Sequence, residues 1–161
     1  MAKAKKESVQ DKEVEKIFTG QILFTYPEME FILQSLATVK INIVHGDQLI
    51  ARNKVFKALQ VKFDEFNSIR MDMLQKYASK DEKGEMKLAE DKRSYEIKPD
   101  NKVKFDEEFK ILLDKGFEVD ILPSIKKDFK LIPEIIKKTN RDLNYTETEI
   151  YLSICEKITK L

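Results

Sequence analysis

His45 and Cys155 are the two side chains with which this sequence could most readily do chemistry near neutral pH, and each type occurs once. An imidazole can act as general base or metal ligand, but both tasks need an oriented second group. With no second histidine, two-histidine zinc sites are excluded, and His45, just before Gly46, reads as a turn or capping residue. Cys155 lies among Ile150, Ile154 and Ile158, where a thiol behaves as a small buried hydrophobe rather than a nucleophile.

Two carboxylate patterns imitate ion sites. Ser79, Asp81, Gly84, Glu85 and Glu90 loosely follow a twelve-residue calcium loop, yet Lys83 puts a cation where a ligand oxygen belongs and a hairpin pattern follows instead of a helix. Pro99-Asp100 followed by Glu108-Phe109-Lys110 has the residue types of a metal-dependent nuclease, but Glu108 falls within a helical pattern rather than on a central strand. No G-x-x-x-x-G-K-[ST] loop is present, and four scattered glycines do not build a dinucleotide turn. The reading is therefore noncatalytic: no catalytic residue, no cofactor and no metal ligand is expected.

Charge offers a different chemistry, that of binding. Thirty Lys and Arg against 29 Asp and Glu leave a formal +1, so the whole chain has no bias toward nucleic acid or membrane. Locally the balance breaks. From Asp106 to Asp120 there are six acids and two lysines, whereas Lys126 to Arg141 holds six bases and two acids. The candidate partner-binding residues are Lys126, Lys127, Lys130, Lys137, Lys138 and Arg141 in this basic block, together with Arg52 and Arg70. Both arginines fall near the apolar stripe of a long helix. There they must snorkel, pair with a carboxylate of the acidic block, or anchor a partner interface, and the ion pair is the favoured expectation. The basic block reads as a solvated face, with phosphate contacts as the alternative.

The elements that would position these groups are mostly helical. With 161 residues, 42% hydrophobic and 37% charged, few glycines and few prolines, the chain fits a single α+β domain rich in helix. Residues 1–9 form a flexible basic arm and residues 10–161 the domain, beginning with a short helical turn through Val14, Ile17 and Phe18. Gln21 to Thr25 suits a strand, and Thr25 with Glu28 has capping-box spacing, which starts a helix at Tyr26 that runs to about Val39. Between Asp47 and Ala78 no proline or glycine interrupts a stripe of Leu49, Phe56, Leu59, Phe63, Phe66, Met73 and Tyr77, so one long central helix with Asp47 as N-cap is expected.

Beyond it, Met86, Leu88, Tyr95 and Ile97 alternate as a β-hairpin. Lys102 to Lys115 reads as a helix closed by Gly116, with Phe105, Phe109, Leu112 and Leu113 inward. Phe117 to Ile121 reads as a strand paired with the hairpin, stopped by Pro123, making a small three-stranded antiparallel sheet. Pro133 is expected in the first turn of a short helix through Lys138, and Thr146 with Glu149 as the capping box of a last helix that buries Ile150, Ile154 and Ile158. The lone cysteine and the lack of an apolar leader or spanning stretch point to a reducing cytosol and no membrane, which leaves the Asn144-Tyr145-Thr146 sequon without meaning.

Several strings, FILQSLATVKI, IARNKVFKAL, FNSIRMDMLQKYASKDEKGE, YEIKPDNKVKFDEEF and FEVDI, in this order, resemble a small family of tailed-bacteriophage proteins of unknown function, often encoded near tail and lysis genes. The chain departs from that pattern by an N-terminal extension and a lysine-rich insertion over residues 126–141. The resemblance implies a phage origin and an accessory or assembly role, with no catalytic residue to carry over. The expected function is protein binding by a virion- or tail-associated structural or assembly factor, in the host cytoplasm or on the particle, with a phage structural protein as partner or as an oligomer. Two rivals are an inhibitor of a host defence or transcription complex, with a host protein as partner, and a nucleic-acid-binding accessory protein.

Overall fold

Alternating burial explains the first element. In β1 (Gln21–Phe24) Ile22 and Phe24 point inward while Gln21 and Leu23 face out, and its partner β2 (Phe117–Asp120) buries Phe117 and Val119 in the same way. A computed structural model describes residues 20–40, 44–139 and 142–161 of the chain. The expected basic arm, the turn through Val14, Ile17 and Phe18, and Arg141 lie outside them.

The two strands pair antiparallel with Ile22 opposite Val119 and Phe24 opposite Phe117. Among the described residues the sheet has two strands, so the expected partner of Phe117–Asp120 is corrected from the hairpin to the segment before the first helix. Alternation marks a strand but carries no address. Here the address comes from the apolar pairs that both strands turn to the same core.

Gly116 makes this join tight. Its φ of +62° is left-handed, and a Cβ there would stand 2.6 Å from the carbonyl oxygen of Phe24. The residue is thus required both to end a helix and to let β2 approach β1.

α1 (Tyr26–Thr38) starts on the expected capping box: Thr25 N–H donates to Glu28 Oε2 at 2.7 Å and Glu28 N–H to Thr25 Oγ1 at 3.4 Å. α2 (Asp47–Tyr77) is the long helix, 31 residues and about 46 Å of rise. Its N-cap is Gly46 at φ +54°, not the expected Asp47, which is the first helical residue, so the helix starts one position earlier than expected. The fully buried line on α2 runs through Ala51, Val55, Leu59 and Phe66, while Leu49, Phe56 and Phe63 of the expected stripe lie half-buried on its flank.

After α2 the chain folds back on itself through three short segments. Ser79 N–H donates to Glu96 O at 2.7 Å and Ser79 O accepts from Lys87 N–H at 2.9 Å, with single bridges at Ala78–Ile97, Lys80–Met86 and Leu88–Tyr95. The hairpin pattern is therefore realised as bridges beside the end of α2. Its turns are held by aspartates: Asp81 Oδ1 accepts from Lys83 and Glu85 N–H, and Asp91 Oδ1 from Arg93 and Ser94 N–H.

α3 (Lys102–Lys115) matches its expected bounds, but Phe105, Phe109, Leu112 and Leu113 are only half-buried and no residue of the helix is fully covered.

α4 (Pro123–Lys137) corrects the expectation at Pro133. The helix starts at Pro123, where a missing N–H costs nothing, and continues through Pro133, which removes the N–H that would bond the Phe129 carbonyl. An interior proline disfavours a helix by about 3 kcal/mol. The unbroken buried stripe of Phe129, Ile132, Ile135 and Ile136 outweighs it, each side chain contributing roughly 1.5 to 3 kcal/mol.

α5 (Tyr145–Thr159) is capped by Asn144 and Glu147, not by Thr146 and Glu149: Glu147 N–H donates to Asn144 Oδ1 at 2.9 Å and Asn144 N–H to Glu147 Oε2 at 3.1 Å. Two overlapping boxes compete here, and asparagine is the stronger N-cap. Ile154 and Ile158 are buried as expected, while Ile150 is half-buried and Tyr151 is buried beside them.

The result is α+β and mostly helical. The core lies where α1 and α4 pack on the first half of α2 and α5 packs on α1 and α4, under the inner face of the sheet.

Candidate protein-binding site

Helix termini explain Arg52. The last turn of α1 has no basic residue and no glycine beyond it, so its final carbonyls need an outside donor. The turn into α2 places Arg52 beside them, with Nε donating to Leu36 O at 2.7 Å and a terminal nitrogen to Ala37 O at 3.5 Å. The expected ion pair with the acidic block is corrected: Arg52 caps a helix, where a cation also complements the negative end of the dipole. The signal was present in the sequence, in a helix that ends without a cap of its own. Arg70 is half-buried and makes no ion pair among the described residues.

Immediately beside this cap α1 and α2 leave an open groove of about 310 Å³. Leu33, Ala37, Phe56 and Phe63 supply its apolar lining, and Glu30, Gln34 and Gln60 its polar lining. Gln60 donates to Asp64, one turn further along α2, at 2.7 Å, which fixes its amide. Phe63 continues into an aromatic cluster with Tyr26, Phe66 and Phe117, their centroids 5.1 to 6.3 Å apart, so the lining is backed by packed rings. Phe56 and Phe63 were legible as part of the apolar stripe. That they face a groove instead of the core was not, because periodicity locates a stripe only to within a residue or two of rotation.

The deepest charge among the described residues was missed as well. Glu28 is 3% exposed, and beyond its capping bond it accepts from Ser153 Oγ at 2.6 Å through Oε1 and from Lys157 Nζ through Oε2. Burial pushes its carboxyl up, but the hydrogen bonds from Lys157, Ser153 and Thr25 together outweigh that and hold it below its ordinary value. Both oxygens are occupied by donors, so the group is fixed as an anion. It ties the start of α1 to α5. The sequence shows Glu28 as a capping residue but gives no sign that Ser153 and Lys157, one turn apart, would converge on it.

The remaining candidates disperse. Tyr77 Oη donates to Glu108 Oε1 at 2.6 Å and Lys76 Nζ lies 3.1 Å from the same oxygen. Tyr77 and Lys76 hold the Glu108 carboxyl down and fasten α3 to the end of α2. Asp106 pairs with Lys102 at 3.3 Å, so the acidic block takes cations from its own neighbourhood and not from the basic block. On α4, Lys138 pairs with Glu134 at 3.7 Å and bonds Gln48, while Lys127, Lys130 and Lys137 are exposed and Lys126 half-exposed. Buried Asp128 is met by Lys54 from α2 at 3.2 Å.

His45 is exposed, with its carbonyl accepting from Gln48 N–H at 3.2 Å. Cys155 is half-buried beside Tyr151, whose phenol is pushed up by burial and by that thiol and donates to Pro133 O at 3.1 Å. Among the described residues no group of three His, Cys, Asp or Glu side chains could hold a metal ion, and no helix is long and apolar enough to cross a membrane.

Compared with protein-family models, with curated proteins and with solved structures, the chain matches none.

Proposed function

We propose that this chain is a noncatalytic protein-binding factor of a tailed bacteriophage, a structural or assembly component associated with the virion or tail. The observation that carries the reading is the α1–α2 groove: an apolar lining that includes two phenylalanines, polar and acidic groups beside it, and a rigid backing of packed helices. A groove between two helices suits a third, laid in with apolar side chains at helical spacing. Glu30 in the lining, with Asp64 bonded to the lining residue Gln60, favours basic residues flanking that ridge. The occupant is thus an amphipathic helix of a particle protein with lysines or arginines beside its apolar face. The pattern resemblance to phage proteins supports the particle as the place to look.

Ala37 offers a clean probe, because it is exposed in the groove lining and mid-sized changes there leave the core untouched. Purified protein should co-sediment with purified particles of its phage, and Ala37→Glu should weaken that association about tenfold or more by placing a charge in the apolar lining. Absence of the wild-type protein from washed particles, or equal binding by Ala37→Glu, would remove the reading.

A further inference from the structure

The outer surface of α4 and α5 carries an ordered sequence of chemistries. Lys126, Lys130 and Lys137 fall on one stripe of α4, separated by one and then two helical turns. Among the described residues none of the three has a carboxylate partner. Next, on α5, Tyr145 is 78% exposed and Leu152 59% exposed, seven positions apart on a single ridge. On the far flank stand exposed Glu149 and Glu156, about one turn either side of Ser153, the residue that reaches Glu28 on α1. Across the surface the order is basic, apolar, acidic.

The direction of the two helices fixes the levels. Tyr151 bonds Pro133 O, while Ile158 and Thr159, further along α5, share a pocket with Pro133 and the earlier Lys130, as in an antiparallel pair. Glu156 is therefore level with Lys130, and Glu149 with Lys137. A two-fold axis running along α5 exchanges left for right without reversing the helix. It lays Leu152 on Leu152 and Tyr145 on Tyr145, sets Glu156 of each copy against Lys130 of the other, and Glu149 against Lys137. Axes perpendicular to α5 bring lysines onto lysines.

We propose that this face is the interface of a parallel two-fold homodimer, with the α5 ridge at its centre and the α4 lysines clamping the α5 glutamates of the second copy. The seven-residue spacing of Tyr145 and Leu152 is that of a heptad seam, and the charge order across the face, not this spacing, selects the parallel arrangement. Such an interface is isologous, each contact occurring twice. Glu156 now bonds Lys160 at 2.7 Å and Glu149 takes the Tyr145 hydroxyl, both exposed contacts one turn apart and weak competitors for an intersubunit partner. This face shares no residue with the α1–α2 groove, so the dimer goes beyond the reading above and stands or falls separately.

Charge exchange tests it in the purified protein with no particle present. Sedimentation equilibrium should show the wild type dimerising. The double variants Glu149→Lys/Glu156→Lys and Lys130→Glu/Lys137→Glu should each dimerise roughly a hundredfold more weakly, because like charges then meet across the seam. Mixed one to one, the two variants should form a heterodimer, since both sets of pairs are restored. Circular dichroism like that of the wild type checks that each variant is folded. A wild type that stays monomeric up to about millimolar concentration, charge-reversed variants that dimerise as well as the wild type, or folded variants that do not recombine on mixing would each overturn the proposal, as would wild-type monomers whose lysines instead bind duplex DNA with a steep salt dependence.

Discussion

The two halves of α2 live in different environments. From Ala51 to Phe66 the helix lies against α1, α4 and the sheet, and Ala51, Val55 and Leu59 are wholly covered. Beyond Phe66 it carries α3, which has no fully buried residue, and a return built on single bridges. An open pocket of about 170 Å³, lined by Phe66, Ile69, Leu112 and Phe117, lies where α2, α3 and β2 meet. What anchors that end is a small ring cluster, Tyr77 against Phe105 at 6.1 Å and Phe105 stacked on Phe109 at 5.6 Å, together with the Tyr77–Glu108 hydrogen bond. One unbroken helix thus joins a dense core to a lightly held satellite. Helix continuity transmits position along the rod, but stability is decided by what each turn buries.

The comparison is tested hardest by paired truncations. Leu59→Ala removes a side chain with no exposed surface and leaves a cavity, and should cost about 4 kcal/mol. Phe109→Ala, at a half-buried position of α3, should cost only about 1.5 kcal/mol despite removing a larger group. Urea unfolding of both measures the contrast, and equal losses would erase the distinction between the halves.

Glu28 sharpens the same comparison from the side of charge. Lys157→Met leaves a buried carboxylate without its cation and should cost about 3 kcal/mol. The pH dependence has a definite sign. Since the native carboxyl sits below its ordinary 4.5, the junction adds stability above that value and loses it as pH falls through the depressed native pKa. In Lys157→Met the native pKa rises, so acid unfolding should begin at higher pH than in the wild type. An unchanged acid limb in the variant would show that Lys157 does not hold the carboxyl down.

How much of this was readable in the chain differs by region for physical reasons. Local signals were reliable: the Thr25–Glu28 box, the bounds of α2 and α3, and Gly116 all follow from short-range chemistry. The strand at Phe117 was legible while its partner was not, because pairing is a long-range choice. Pro133 misled because a local cost was overruled by four buried side chains on one stripe. The α5 cap was displaced by two residues because two boxes overlap. For the candidate surfaces, Phe56, Phe63 and the α4 lysines could all be picked out by type. The groove, the helix-capping role of Arg52 and the convergence of Ser153 and Lys157 on Glu28 depend on which helices become neighbours, and no spacing within one helix reports that.

The groove and the capped end of α1 both belong to the dense half, so the proposed binding surface is preformed, and this is the claim on which the account rests. Native-state hydrogen exchange in low denaturant, resolved by residue, measures it directly. Amides from Ile32 to Leu36, Val55 to Phe63 and Phe129 to Ile136 are expected to exchange only through global unfolding, while those from Ala78 to Lys115 open at markedly lower free energy. Uniform protection across both regions, or opening of the α1–α2 pair before α3, would contradict it.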